Sequence, residues 1–110
     1  MYTKQEINIP ADCLLIKHDF YNYDPKTNFK DEDSLKFLNE DLFQCKFPLE
    51  NLTIDLGWYG DIDSNKGEFK IYIIEGENWE VPLNTIHPKS TEEAKVLLNK
   101  IIEYYTGVNK

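Results

Sequence analysis

The 110-residue sequence contains no arginine: all twelve cations are lysines, set against twenty acids, and the formal net charge is −8. Planar, bidentate recognition of phosphate and guanine is mainly arginine chemistry, and a polyanion is repelled by a protein of this charge. The same repulsion disfavours an anionic membrane surface. We therefore expect neither nucleic acid nor membrane as a partner, and we favour a basic partner or none at all.

Cysteine is scarce, with only Cys13 and Cys45 in the chain. The first ten residues are polar and include Glu6, so they do not resemble a secretory signal, and no apolar run approaches the length of a membrane span. Free thiols are typical of reducing compartments. The sequence therefore predicts a cytoplasmic protein with two buried, unpaired cysteines.

Length and composition predict one domain spanning residues 1–110. Hydrophobic residues make up 41% of the chain and aromatic residues 14%. A domain of this size can form a core without metals or disulfides.

The C-terminal region has the pattern of an amphipathic helix. Ser90 and Glu93 form an S-x-x-E capping box, and Gly107 is placed to terminate the helix. Between them, apolar residues recur at helical spacing. This stripe consists of Ala94, Leu97, Leu98, Ile101, Ile102 and Tyr105.

The middle of the chain predicts a β-hairpin. Apolar and polar residues alternate over 52–59 and again over 69–74, and the turn-rich stretch 60–67 separates the two runs. The alternation places Trp58 on the core face, and it assigns Asp55, Tyr59, Lys70, Tyr72 and Ile74 to the opposite face. We expect an α+β fold: a small antiparallel β-sheet with a C-terminal α-helix packed on one face.

The N-terminal half leaves alternatives open. Residues 14–16 and 20–23 are compatible with a strand or an irregular packed segment, and residues 24–29 with a loop. Residues 31–39 could form a short helix, because acids at its start would favour the positive helix terminus. Residues 42–47 could continue that helix or begin a strand.

The motifs of common enzymes and metal sites are missing. Asp61-x-Asp63-x-Asn65 resembles the start of a calcium loop, but the glycine comes one residue late and Tyr72 occupies the position of the bidentate acid. His18 and His87 have no metal-ligand spacing. We predict no cofactor, no metal and no catalytic activity, although a Cys–His pair assembled in space remains an alternative.

The negative charge is concentrated in the middle of the chain. Residues 31–80 carry a net charge of −9, whereas the remaining residues carry +1. Large aromatics are interleaved with these acids, and protein interfaces favour Trp and Tyr at their centre with complementary charge around them. We predict a partner-binding surface formed by Glu40, Asp41, Asp55, Tyr59, Asp61, Asp63, Glu75, Glu77, Trp79 and Glu80.

Three segments form a framework of the type I-D-x-G-W-Y … G-x-F … W-E-x-P: residues 54–59 (IDLGWY), 67–69 (GEF) and 78–83 (NWEVPL). This framework resembles small bacterial immunity proteins of contact-dependent growth inhibition systems and related polymorphic toxin loci. The resemblance covers residues 35–105.

The resemblance implies a cytoplasmic antitoxin that binds the C-terminal toxin domain of a cognate effector, commonly a nuclease, in a one-to-one complex. It would block the active or substrate-binding surface of the toxin. Because such toxins are often basic, the charge argument agrees with the resemblance. The alternative is a small acidic regulatory or scaffold domain that binds a basic protein or peptide unrelated to toxins.

Overall fold

The described residues form five strands, each antiparallel to the next along the chain, in the sheet order β1-β2-β3-β4-β5. The computed structural model describes residues 2–25, 37–61 and 66–106. A helix, α1, follows the sheet and packs against β4. The α+β fold predicted from the sequence is confirmed. The elements are β1 (Leu14–His18), β2 (Phe43–Phe47), β3 (Leu52–Asp61), β4 (Lys66–Glu75), β5 (Asn84–Ile86) and α1 (Thr91–Tyr105).

The core lies between one face of the sheet and α1. Cys45, Ile54 and Ile73 line up across β2, β3 and β4, and α1 covers this face with its own apolar stripe. Complete burial of one such aliphatic side chain stabilises the fold by about 1.5–3 kcal/mol. The remaining buried members of this layer are Phe43, Phe47, Leu52, Leu56, Trp58, Phe69, Ile71, Ala94, Leu98 and Ile102.

The predicted helix cap is present at the start of α1. The Ser90 hydroxyl oxygen accepts a hydrogen bond from the Glu93 N–H at 3.1 Å, and the Glu93 carboxylate accepts one from the Lys89 N–H. The helix ends where the Thr106 N–H bonds to the Ile102 carbonyl. The predicted terminator, Gly107, lies outside the described residues.

The structure decides between the alternatives for the N-terminal half. Residues 42–47 contain a strand and not a continued helix, because Phe43, Cys45 and Phe47 alternate with less buried residues on a period of two. Residues 14–16 lie in β1, whose pairing with β2 is interrupted by a bulge between Leu15 and Lys17. Residues 20–23 are an irregular packed segment with a single bridge to Lys4. Most of the loop expected at 24–29 and of the helix expected at 31–39 lies outside the described residues.

The hairpin was predicted correctly, but its strands are longer than expected. The positions assigned to the ends of the turn belong to the ladder, where Gly60 pairs with Gly67 and Asp61 with Lys66. Gly67 is needed there because a Cβ atom would overlap the indole ring of Trp58. β5 was not predicted, since three residues are too few to show alternation. No helix among the described residues has the length and apolarity needed to cross a membrane.

Candidate partner-binding surface

The face of the sheet opposite α1 is polar over much of its area. Because side chains alternate along a strand, the core residues of β3 and β4 leave four cross-strand pairs on this side: Thr53 with Ile74, Asp55 with Tyr72, Gly57 with Lys70, and Tyr59 with Glu68. We call this side the outer face. It includes Lys17 of β1, Gln44 and Lys46 of β2, Thr53, Asp55, Gly57 and Tyr59 of β3, Glu68, Lys70, Tyr72 and Ile74 of β4, and Thr85 of β5.

At one end of the outer face the side chains are buried from solvent. Thr53 and Ile74 pair across β3 and β4, and both are buried, with 3% and 0% of their surface exposed. Alternation had placed Ile74 on the side away from the core, and it does lie there, but it is not exposed to solvent. The accessible part of the outer face therefore begins at the Asp55–Tyr72 pair and extends toward Tyr59.

Asp55 lies on the predicted face but is only 5% exposed. The Gln44 side-chain amide donates a hydrogen bond to its carboxylate over 3.1 Å. Burial raises the pKa of Asp55 to about 6, the Gln44 hydrogen bond opposes this rise, and the negative charge of Asp41 adds to it. At neutral pH Asp55 is thus a mostly ionised carboxylate recessed in the surface, able to act on a partner mainly through its charge.

The acidic pair Glu40–Asp41 is held beside β3 by a close backbone approach. The Trp58 N–H donates to the Asn39 carbonyl at 2.8 Å. Gly57 allows this approach, since a Cβ atom there would overlap the Glu40 carbonyl oxygen. Both acidic side chains are exposed. The main chain therefore fixes two carboxylates at the rim of the outer face.

Tyr59 connects these acids with the aromatic residues. Its ring meets the Tyr72 ring edge-on, with centroids 5.9 Å apart, and the Lys70 ammonium lies 5.2 Å from its centroid. The pKa of the Tyr59 hydroxyl is raised, so it remains protonated and can donate a hydrogen bond. The cause is first burial, and then the charges of Asp55, Tyr72, Glu40 and Asp41.

Trp79 and Glu80 join the outer face through Tyr72. These three residues line an open pocket of about 560 Å³ together with Pro82, Thr85 and His87. Trp79 is 47% exposed, which is high for so large an apolar side chain. The structure thus brings together six of the ten predicted binding residues: Glu40, Asp41, Asp55, Tyr59, Trp79 and Glu80.

The other four predicted residues are not part of this group as far as the structure describes them. Glu75 pairs with the core residue Leu52 at the far end of the hairpin, and Glu77 is exposed in the turn that follows. Asp61 is described only as a ladder residue of β3, and Asp63 lies outside the described residues. A binding role for these four stays a prediction.

Sequence reasoning missed several residues of this surface. Alternation had already placed Lys70 and Tyr72 on the non-core face, but only the register of the hairpin sets Tyr72 opposite Asp55. Gln44 could not be assigned while β2 was undecided. Pro82, Thr85 and His87 depend on β5, which carried no sequence signal.

The structure gives a Cys–His catalytic pair no support. Cys13 and Cys45 are buried and hydrogen-bond to each other, and burial raises the pKa of both thiols. The two ring nitrogens of His18 face main-chain groups, the Gln5 carbonyl and the Phe20 N–H, and His87 pairs with Glu68. Within the described part of the chain, no group of three His, Cys, Asp or Glu residues is arranged to hold a metal ion.

In comparisons with known proteins, no family model, no curated protein and no solved structure matches this chain. The assignment of a function therefore rests on the sequence, the fold and the surface described above.

Proposed function

We propose that this protein is an immunity protein, which binds and neutralises a basic, nuclease-type toxin domain in the bacterial cytoplasm. The observation that carries the proposal is the composition of the outer face, where the exposed Glu40 and Asp41 lie beside β3 and Tyr59 of the same strand contacts Tyr72, a wall of the aromatic pocket. The net charge of −8 and the resemblance of the framework segments support it independently.

The proposed mechanism is occlusion by charge mimicry. The carboxylates of Glu40 and Asp41 would face the cations with which the toxin holds its nucleic acid, so the substrate and the immunity protein would compete for one surface. Exposed ion pairs contribute little net affinity, about 0–1 kcal/mol each. Their main effect would be to accelerate and orient the encounter, and this effect should weaken as salt is added.

Tight binding would come from the aromatic part of the surface. Protection against a toxin inside the cell calls for affinity near 1 nM, which corresponds to about −12 kcal/mol. Hot spots that supply such energy are enriched in Trp and Tyr and are ringed by polar residues. Trp79, Tyr72 and Tyr59 meet this description, with the acids around them.

The framework residues Gly57 and Trp58 have a different task in this proposal. Trp58 is 7% exposed and packs in the core, and Gly57 admits the main chain of Glu40. Trp58 supports the sheet from its core side, and Gly57 lets Glu40 approach β3, so neither residue needs contact with the partner.

The direct test uses the reading frame next to this gene. Its C-terminal domain should arrest growth when it is expressed alone in a bacterial host, and co-expression of this protein should restore growth and yield a one-to-one complex on purification. A double variant Trp79→Ala, Tyr59→Ala that still folds should lose protection. Stable growth arrest despite abundant immunity protein, or failure of the two proteins to associate at low salt, would contradict the proposal.

A further inference from the structure

The pocket beside Tyr72 has the chemistry of a cation site. Its walls include the rings of Tyr72, Trp79 and Pro82, and one carboxylate, that of Glu80. Aromatic faces attract cations through their quadrupole, and Trp is the strongest of them. A volume of about 560 Å³ is within the usual range of ligand pockets, and the pocket is open enough to admit a side chain from another protein.

Two contacts hold parts of the pocket wall in position. The Glu68 carboxylate pairs with Nδ1 of His87 and so orients the imidazole ring in the wall. The main-chain N–H of Trp79 donates to the Glu77 carbonyl at 2.9 Å. This hydrogen bond holds the turn that carries Trp79 and Glu80. A preformed pocket of this kind costs little ordering entropy on binding.

The outer face already contains one cation on an aromatic ring. Lys70 places its ammonium over Tyr59, and Tyr59 in turn meets Tyr72 edge-on. Within the described residues, no lysine is recorded over Trp79. Tyr72, a wall of the pocket, therefore directly contacts a ring that already carries a cation.

We propose that this pocket binds an arginine side chain presented by the partner protein. A guanidinium group is planar, stacks on aromatic rings and offers a fork of donors that matches a carboxylate such as that of Glu80. The chain has no arginine of its own, so neither an internal residue nor a second copy can supply this group. The occupant therefore belongs to a different protein. The inference rests on the proposed function, since the arginine would be one of the toxin's substrate-binding cations.

The test uses the whole protein and a model compound, and it needs no toxin. N-acetyl-arginine methylamide is titrated at pH 7.5 while the indole N–H signals of Trp79 and Trp58 are followed by NMR. The neutral isostere N-acetyl-citrulline methylamide is titrated in parallel. The Trp79 signal should move to saturation with arginine, while that of the buried Trp58 stays in place. Citrulline should bind about fivefold more weakly or worse, the loss expected for about 1 kcal/mol of cation–π attraction.

Two matched variants separate the pocket from general charge attraction. Glu80→Gln and Glu92→Gln make the same chemical change at exposed positions, but only Glu80 lines the pocket. Glu80→Gln should weaken arginine binding about threefold or more, as expected for loss of a charged partner, and Glu92→Gln should leave it within twofold. Equal binding of arginine and citrulline, or equal effects of the two variants, would overturn the proposal.

This result is independent of the test of the proposed function. If arginine binds at Trp79 but the neighbouring toxin domain does not associate, the immunity function fails and the arginine site stands. If the toxin domain associates but arginine leaves the Trp79 signal unmoved, the arginine site fails and the immunity function stands.

Discussion

The Gln44 side-chain amide donates to the Asp55 carboxylate across β2 and β3, over 3.1 Å. Asp55 is nevertheless destabilised as an anion, because burial raises its pKa to about 6 from an ordinary value of 3.8. Between these two pH values the folded chain retains a proton that the unfolded chain has lost. The contribution of Asp55 to stability is thus complete below about pH 4 and is lost as pH rises through 6.

Replacing Asp55 with Asn should therefore stabilise the protein at neutral pH. The amide removes the buried charge and keeps an oxygen that can accept from Gln44. We expect the free energy of unfolding at pH 7 to increase by about 1–3 kcal/mol relative to the natural sequence, and the difference to vanish near pH 4. Urea unfolding across this range measures it. Glu103→Gln, which neutralises an exposed acid on α1, should show no such trend, and a pH-independent effect of Asp55→Asn would refute the buried charge.

Gly57→Ala should detach the acidic rim from the sheet. The added methyl group would overlap the Glu40 carbonyl oxygen, so the main chain at residues 39–41 must move or the strand must distort. Overpacking of this kind costs about 1–3 kcal/mol. Chemical denaturation measures the loss. Glu40→Ala, which removes only an exposed side chain at the same contact, should change stability by less than about 0.5 kcal/mol. Similar losses from both variants would show that the Glu40 side chain, and not its main chain, makes the contact.

The two thiols should resist alkylation in the folded protein. Burial raises the pKa of both, and Cys45 is fully buried whereas Cys13 is 9% exposed. At pH 8 iodoacetamide should label each about a hundredfold more slowly than in the urea-unfolded chain, with Cys45 slower than Cys13. Peptide mass spectrometry gives the two rates separately. Fast labelling of either cysteine in the native protein would revive a thiol-based activity.

Local patterns predicted the parts of the fold that local interactions decide. The Ser90–Glu93 cap marked the start of α1, and alternation assigned the faces of β3 and β4, including the core position of Trp58. β2 remained ambiguous because so short a segment is compatible with a helix as well as with a strand. Its pairing with β1 and β3 decides the matter, and that pairing is not local.

The candidate surface could not be predicted in full, because it depends on contacts between residues even farther apart in the sequence. The approach of Glu40 to Gly57 joins residues seventeen positions apart, and the glycine alone gave no hint of what it admits. The pocket forms only when the chain after β4 returns as β5 and places Trp79 near Tyr72. Charge concentration in the sequence indicated residues 31–80, but it did not separate Glu40 and Asp41, which adjoin the outer face, from Glu75 and Glu77 at the far end of the hairpin.

The central claim is that the outer face receives a basic partner, and association kinetics test it most directly. Two double variants change the net charge equally: Glu40→Lys with Asp41→Lys at the rim of the outer face, and Glu6→Lys with Glu103→Lys at exposed positions beside α1. Stopped-flow association with the toxin domain of the neighbouring reading frame is measured for each at low and physiological salt. At low salt, we predict that the first double variant associates at least about tenfold more slowly than the natural sequence, and that this difference shrinks at physiological salt. The second double variant should associate less than about threefold more slowly. Equal slowing by both pairs would contradict the account, because charge would then act without regard to the face that carries it.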